Sequence, residues 1–405
     1  MFRLTDWVFS LGDSTATNKR NIIAFLAIKC LYELQDRDTM KSICSKFLAG
    51  GDGKLCLKGL IITPVDSRAL FEFLGNSNNL KRLIFERCRI QGNYSYNKMV
   101  KSLLNNPTNS IISLTFIENI FTTQTVEYLR DALKSENCKL TSLGLDGYAI
   151  TDEDAENLSE ALKSGNCKLT SLSLCGNPIA NQGAEYLSDA LKSENCKLTS
   201  LELGCNEITG QGAKYLSNAL KSGNCKLTSL TLYTNIITDK GALYLKEALK
   251  SENCKLTSLD LCNDGITDQG VEYLSEALKS GNCKLTSLSL CGNPIANQGA
   301  EYLSDALKSE NCKLTSLDLG NDGITDQGVE YLSEALKSGN CKLTSLSLCG
   351  NPIANQGAEY LSDALKSENC KLTSLDLRQN EITDQGAEYL SDALKSENCK
   401  LTSLD

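Results

Sequence analysis

From Leu140 onward the apolar residues follow two rhythms inside a fixed period of 29. Leu285, Leu288 and Leu290 are spaced for a short strand with one apolar face, and Asn293 and Ile295 follow in the turn. The helical rhythm comes next: Leu274, Ala277 and Leu278 share one face, and Gly281-Asn282 is the stop signal. Thr267-Asp268 offers oxygens to the orphan N–H groups at the start of that helix, whereas the next unit offers Ala296-Asn297. Gly270, one turn before Leu274, lets neighbouring helices approach closely at some expense in helix propensity. The 29 residues from Cys283 to Asn311 recur letter for letter from Cys167 to Asn195 and from Cys341 to Asn369. A fixed period of this length marks a solenoid.

The rhythm starts irregularly. Leu55, Leu57, Leu60 and Ile62 align with Leu83, Phe85, Cys88 and Ile90, and a third unit carries Leu114, Phe116, Asn119 and Phe121. The pattern predicts about twelve strand-loop-helix units and a terminal strand, Leu401 to Asp405, over residues 51–405. Residues 1–50 are off the repeat, and Trp7 to Leu11, Ile22 to Leu34 and Met40 to Leu48 read as helices of a short N-terminal cap or linker. Such a layer covers the apolar edge that an open solenoid exposes at its first repeat. No polar layer follows Asp405, so the expectation is a piece of a longer protein, the alternative being Gly386 to Glu397 as a terminal cap.

The string L-x-x-L-x-L-x-x-N-x-I, in phase over most of the chain, resembles the leucine-rich repeat of the ribonuclease-inhibitor-like class. The resemblance implies an α/β solenoid with a concave parallel β-sheet and convex α-helices. Strands ~4.8 Å apart against helices needing ~8–10 Å force a horseshoe. The stretches Cys30 to Leu48 and Thr63 to Leu74 look like the segment before the repeats and the first repeat helix of animal nucleotide-binding leucine-rich-repeat receptors (NLRs). That likeness implies an upstream NACHT module. Gly50 to Leu55 does not supply its nucleotide site, since the P-loop pattern lacks its first Gly at Leu48 and a Ser/Thr after Lys54. No cofactor is predicted.

Charge and cysteine usage narrow the partners. Lys+Arg 41 against Asp+Glu 50 gives −9, which leaves no electrostatic footprint for nucleic acid or anionic membrane and favours basic protein partners. Ten of nineteen cysteines keep one repeat position, from Cys138 to Cys399, where a small buried apolar residue fits. With no signal-peptide pattern in MFRLTDWVFSLGD, a reduced, cytoplasmic chain is expected. The bland reading of the thiol ladder is packing; a redox role needs exposure and a lowered pKa.

Histidine is absent, which removes His-based nucleophile schemes and His metal sites. No C-x-x-C stands in the chain either, so neither a catalytic nor a metal centre is predicted. The ladder Asn177, Asn206, Asn235, Asn293, Asn351 and Asn380 reads as turn structure, with Asp264 and Asp322 in its place twice and Tyr148 breaking it.

Binding would lie on the concave face. Strand alternation turns Asp146, Glu202, Tyr233, Asp260, Asp318, Asp376 and Arg378 outward beside a serine stripe, with Cys175, Cys291 and Cys349 among them. These acids, opposed only by Arg378, predict a groove for cationic groups, while a hydrated sheet with no ligand is the bland alternative. Residues 254–311 and 312–369 match except for Cys262 against Gly320, a recent copy whose surface is regular rather than tailored. The reading is therefore a protein-binding, ligand-sensing module of an NLR-like innate immune sensor or regulator, with a contact to the NACHT module implied by that resemblance. The rivals are a ribonuclease-inhibitor-like enzyme inhibitor and a purely structural scaffold.

Overall fold

A computed structural model describes residues 28–30, 32, 33, 39, 42, 43, 53–120, 122–147 and 149–405. Most of the three expected N-terminal helices, and Tyr148, lie outside the described residues; those described between 28 and 43 are helical. The chain divides into two compact units, Met1–Ile179 with Asp189–Leu201 and Ala180–Ser188 with Glu202–Asp405.

In the first unit, strands Lys54–Lys58, Arg82–Glu86, Ser113–Ile117, Ser142–Asp146 and Ser171–Ser173 pair in parallel, each with the next. The register joins like positions of successive repeats: Leu55 to Leu83, Leu83 to Leu114, Leu114 to Leu143. The sequence alignment of the irregular repeats thus holds at these strand positions, whereas Phe121 lies outside the described residues. Because a strand alternates its side chains, Leu57, Phe85 and Phe116 all point inward and are fully buried. Phe85 stacks on Phe116 with centroids 5.0 Å apart and takes the edge of Phe71 at 6.2 Å, so these early repeats are filled by aromatic rings. Helix Pro64–Gly75 begins with Pro64 behind a Thr63 and Asp66 capping box, and Lys29 reaches Asp66 at 2.8 Å.

The second unit repeats one strand, turn and helix. Strands Ser229–Thr231, Ser258–Asp260, Ser287–Ser289, Ser316–Asp318, Ser345–Ser347, Ser374–Asp376 and Ser403–Leu404 lie parallel, with each Ser opposite the Ser 29 residues on. Helices Asp268–Leu278, Asn297–Leu307, Asp326–Leu336 and Asn355–Leu365 bury Leu and Ala at helical spacing against the sheet. Burying a Leu removes roughly 1.5–3 kcal/mol of unfavourable hydration, and every repeat does so several times. Among the described residues no helix is long and apolar enough to cross a membrane.

Two polar ladders hold the loops. Asn293 donates Nδ2–H to Leu261 O at 2.9 Å and Leu290 O at 2.5 Å, while its Oδ1 accepts from Asp264 N and Ile266 N, both at 3.0 Å. Asn177, Asn235, Asn351 and Asn380 make the same kinds of bond, so the structural reading of that ladder stands. The second ladder caps helices across repeats. Asp268, the first residue of its own helix, accepts from Ala296 N and Gly299 N of the next helix, both at 2.8 Å. Asn297, Asp326 and Asn355 do likewise for the helices after theirs. The start at Ala296 therefore has its cap from the preceding repeat. A Cβ at Gly299 would stand 2.7 Å from Asp268 Oδ1, so this glycine admits the cap as well as the neighbouring helix.

The phase-locked thiols are buried from Cys138 to Cys370, with Cys399 half-buried. Burial pushes Cys138, Cys167, Cys254, Cys283, Cys312, Cys341 and Cys370 up, away from the reactive thiolate.

Candidate functional site

In each unit the predicted residues occupy the second and third outward positions of the strands. In the first unit Asp146 is half-buried, and its Oδ1 accepts from Ser173 Oγ at 2.6 Å and from Cys175 N at 3.0 Å. Those bonds tie the carboxylate to the next strand. The remaining predicted residues lie in the second unit.

Glu202 ends strand Ser200–Glu202, half-buried. The Tyr233 ring lies over Gly204, where an added Cβ would sit 2.3 Å from the ring, so the tyrosine is laid along the sheet rather than raised from it. Asp260 Oδ1 accepts from Cys262 N at 3.1 Å. Burial holds its carboxyl above the usual carboxylate range, and the charge of Asp318 adds to the effect. Asp318 takes Gly320 N at 3.0 Å and Ser289 Oγ at 3.3 Å.

Asp376 and Arg378 form a two-pronged ion pair, 3.0 Å from Nε to Oδ1 and 2.6 Å from the second guanidinium nitrogen to Oδ2. The hydrogen bond from Arg378 holds the Asp376 carboxyl low, and Arg378 is raised in turn. Its charge is thus spent on one neighbour. The structure brings Asp260 and Asp318 into one electrostatic neighbourhood and closes Asp376 off from it.

The thiols bring a correction. A wholly reduced chain was expected, yet Cys262 and Cys291 are joined in a disulfide with Cα atoms 4.6 Å apart. The physical reason is register: they occupy the same outward position on adjacent parallel strands, held abreast by Leu261 N to Ser289 O at 2.9 Å and Asn263 N to Cys291 O at 2.8 Å. Cys349 is half-buried and free because Gly320 faces it from the preceding strand. Sequence reasoning turned Cys291 and Cys349 outward without pairing Cys291. The signal was present in the spacing of 29 between Cys262 and Cys291.

Two further carboxyls lie just beneath this face. Asp264, 1% exposed, and Asp322 replace Asn in the loop ladder, and their Oδ1 atoms accept from Asn235 N at 2.9 Å and Asn293 N at 2.8 Å. Their Oδ2 atoms are buried with no hydrogen-bond partner. Burial raises both carboxyls to about 8. Protonated, each can donate a hydrogen bond as the amide it replaces does.

Comparison with known proteins agrees with this geometry. The family model described as Leucine Rich repeat matches residues 165–188, 194–217, 252–275, 281–304, 310–333, 339–362 and 368–391. A search of curated proteins returns no match. Among solved structures, an internalin (InlF) from Listeria monocytogenes is 20% identical, with 90% of this chain and 88% of that chain covered and a TM-score of 0.50. The Rad7 and Elc1 complex of yeast gives 17% identity, 97% and 93% coverage and a TM-score of 0.54. At these identities the likeness is one of fold. Seven matched repeats and the stacked parallel strands make residues 165–391 a leucine-rich-repeat region, a scaffold of the protein-interaction type.

Proposed function

We propose that the chain is the repeat module of an NLR-like cytosolic sensor or regulator, and that it takes a protein partner with basic side chains on the outer sheet face of its second unit. In this reading residues 51–405 are one functional domain and residues 1–50 its helical cap. A NACHT module would be held by intramolecular contact. The observation that carries the docking surface is that Asp260 and Asp318 share this face, the charge of Asp318 acting on Asp260, while Arg378 is already held by Asp376. Uncompensated carboxylates on one face steer cationic partners and speed association more than they deepen affinity. Tyr233, flat against Gly204, supplies an aromatic surface beside them. The buried thiols of the repeat ladder suit a reducing compartment.

The same surface favours one other function, inhibition of a basic enzyme in the manner of ribonuclease inhibitor. Both readings require the acids. Replacing Glu202, Asp260, Asp318 and Asp376 by their amides is expected to slow association with a small basic protein by about tenfold at low salt and to flatten its salt dependence. Unchanged rates and salt slope would remove the acidic face as the docking surface. A nucleotide-binding P-loop encoded upstream in the transcript would favour the sensor over the inhibitor.

A further inference from the structure

We propose that Cys262, Cys291 and Asp318, once the Cys262–Cys291 bond is reduced, form a binding site for a thiophilic divalent cation such as zinc, and that the disulfide is the form that closes it. One ligand atom from each of the three side chains lies within 4.8 Å of the other two. Three consecutive strands present them, so the backbone register positions the donors. Two thiolates and a carboxylate suit a tetrahedral zinc ion and leave its fourth position open. Ser289 stands between the donors, 2.8 Å from Cys262 Sγ and 3.3 Å from Asp318 Oδ2, and can orient both. Cys262 is only 7% exposed, which holds one ligand away from competing solvent. The inference is independent of partner docking, because replacing the cysteines leaves the charge of the face unchanged.

The chemistry balances as follows. A dithiol reductant passes two electrons and two protons to the Cys262–Cys291 bond, which breaks into two thiols while the reductant closes its own S–S bond. The cation then displaces both thiol protons to solvent, so affinity rises with pH. A small-molecule disulfide oxidant takes two electrons back from the two thiolates, its own S–S bond breaking into two thiolates, and the re-formed Cys262–Cys291 bond releases the ion.

The copied repeats supply the control. Cys349 stands where Cys291 does, but Gly320 replaces Cys262 and Arg378 occupies the carboxylate of Asp376, the counterpart of Asp318. One of the two copies should therefore bind. The test is a zinc titration of the full chain, reduced and kept anaerobic, against a chromophoric competing chelator, with proton release followed in parallel. The wild type should take up one tight equivalent with about two protons released. Asp318→Asn should weaken it about tenfold and Cys291→Ser about a hundredfold, while Cys349→Ser should leave it unchanged.

A gain-of-function variant guards against loss through misfolding. A Cβ at Gly320 would lie 3.2 Å from Cys349 O, a fit that asks only a small local shift. Gly320→Cys should add a second, weaker equivalent, weaker because Asp376 must leave Arg378. Tight zinc binding that survives Cys291→Ser, or no second equivalent in Gly320→Cys, would overturn the site.

Discussion

Residues 254–311 and 312–369 are the same 58 positions twice, with Cys262 in one and Gly320 in the other. Strand register, loop amide and cross-repeat helix cap are the same in both. Yet the first copy holds a disulfide beside a carboxylate, and the second a lone thiol beside an ion pair. The scaffold is indifferent to the outward residues because they contribute little to its core. What such a residue does is decided by its neighbour one repeat away. In a linear array one substitution can thus create or erase a site without disturbing the fold.

The largest test of this equivalence is pH. For Asp264 and Asp322 the folded state holds its proton up to about pH 8, whereas the unfolded chain releases it near 3.8. Between those values the unfolded state binds fewer protons, so stability present at acid pH is lost as pH rises through the window. Each carboxyl then destabilises the fold by up to ~5 kcal/mol above that window. Asp264→Asn and Asp322→Asn should both stabilise the protein in urea at alkaline pH and change little near pH 4, with the more enclosed Asp264 giving the larger gain. A flat pH profile in the wild type, or destabilisation by either amide, would contradict the buried-acid account.

A smaller effect checks the cap that passes between repeats. Asp268→Ala and Asp326→Ala should each destabilise by about 1 kcal/mol, since each removes the acceptor for two N–H groups of the following helix. Hydrogen exchange should quicken in helices Asn297–Leu307 and Asn355–Leu365 rather than in the helices that carry the substitutions. Faster exchange confined to the substituted helix would place the cap within a repeat and break the ladder.

How far the sequence could be read follows from what each signal depended on. Asn293 and its equivalents were legible because a turn amide has one obvious task, bonding the backbone around it. Thr267 was legible as the cap of its own helix, where its Oγ1 accepts from Gln269 N at 3.2 Å, but the direction in which Asp268 acts was not. Asp268 beside Thr267 looks like a cap for its own helix, and only Gly299 in the next repeat, too close for a Cβ, reveals its target. Outward strand positions followed from alternation, which shows where a side chain points and not what it meets. For that reason Asp376 and Arg378 were counted as separate charges although they are bound to one another. Cys262 and Cys291 were equally readable, but pairing them required treating the repeat spacing as a distance between strands.

The central claim, that adjacent copies share a scaffold and differ in chemistry at one outward position, is tested most directly by mapping the disulfide without reduction. The protein would be purified in air without added thiol, alkylated and digested with trypsin. The peptide containing Cys262 has a sequence found once, but the peptide containing Cys291 is identical to those containing Cys175 and Cys349. Mass alone therefore cannot assign the partner. Cys175→Ser, Cys291→Ser and Cys349→Ser made singly can. The account predicts a cross-link from Cys262 that vanishes in Cys291→Ser and persists in the other two. A cross-link that survives Cys291→Ser, or one that engages the buried repeat cysteines such as Cys254 or Cys283, would contradict it.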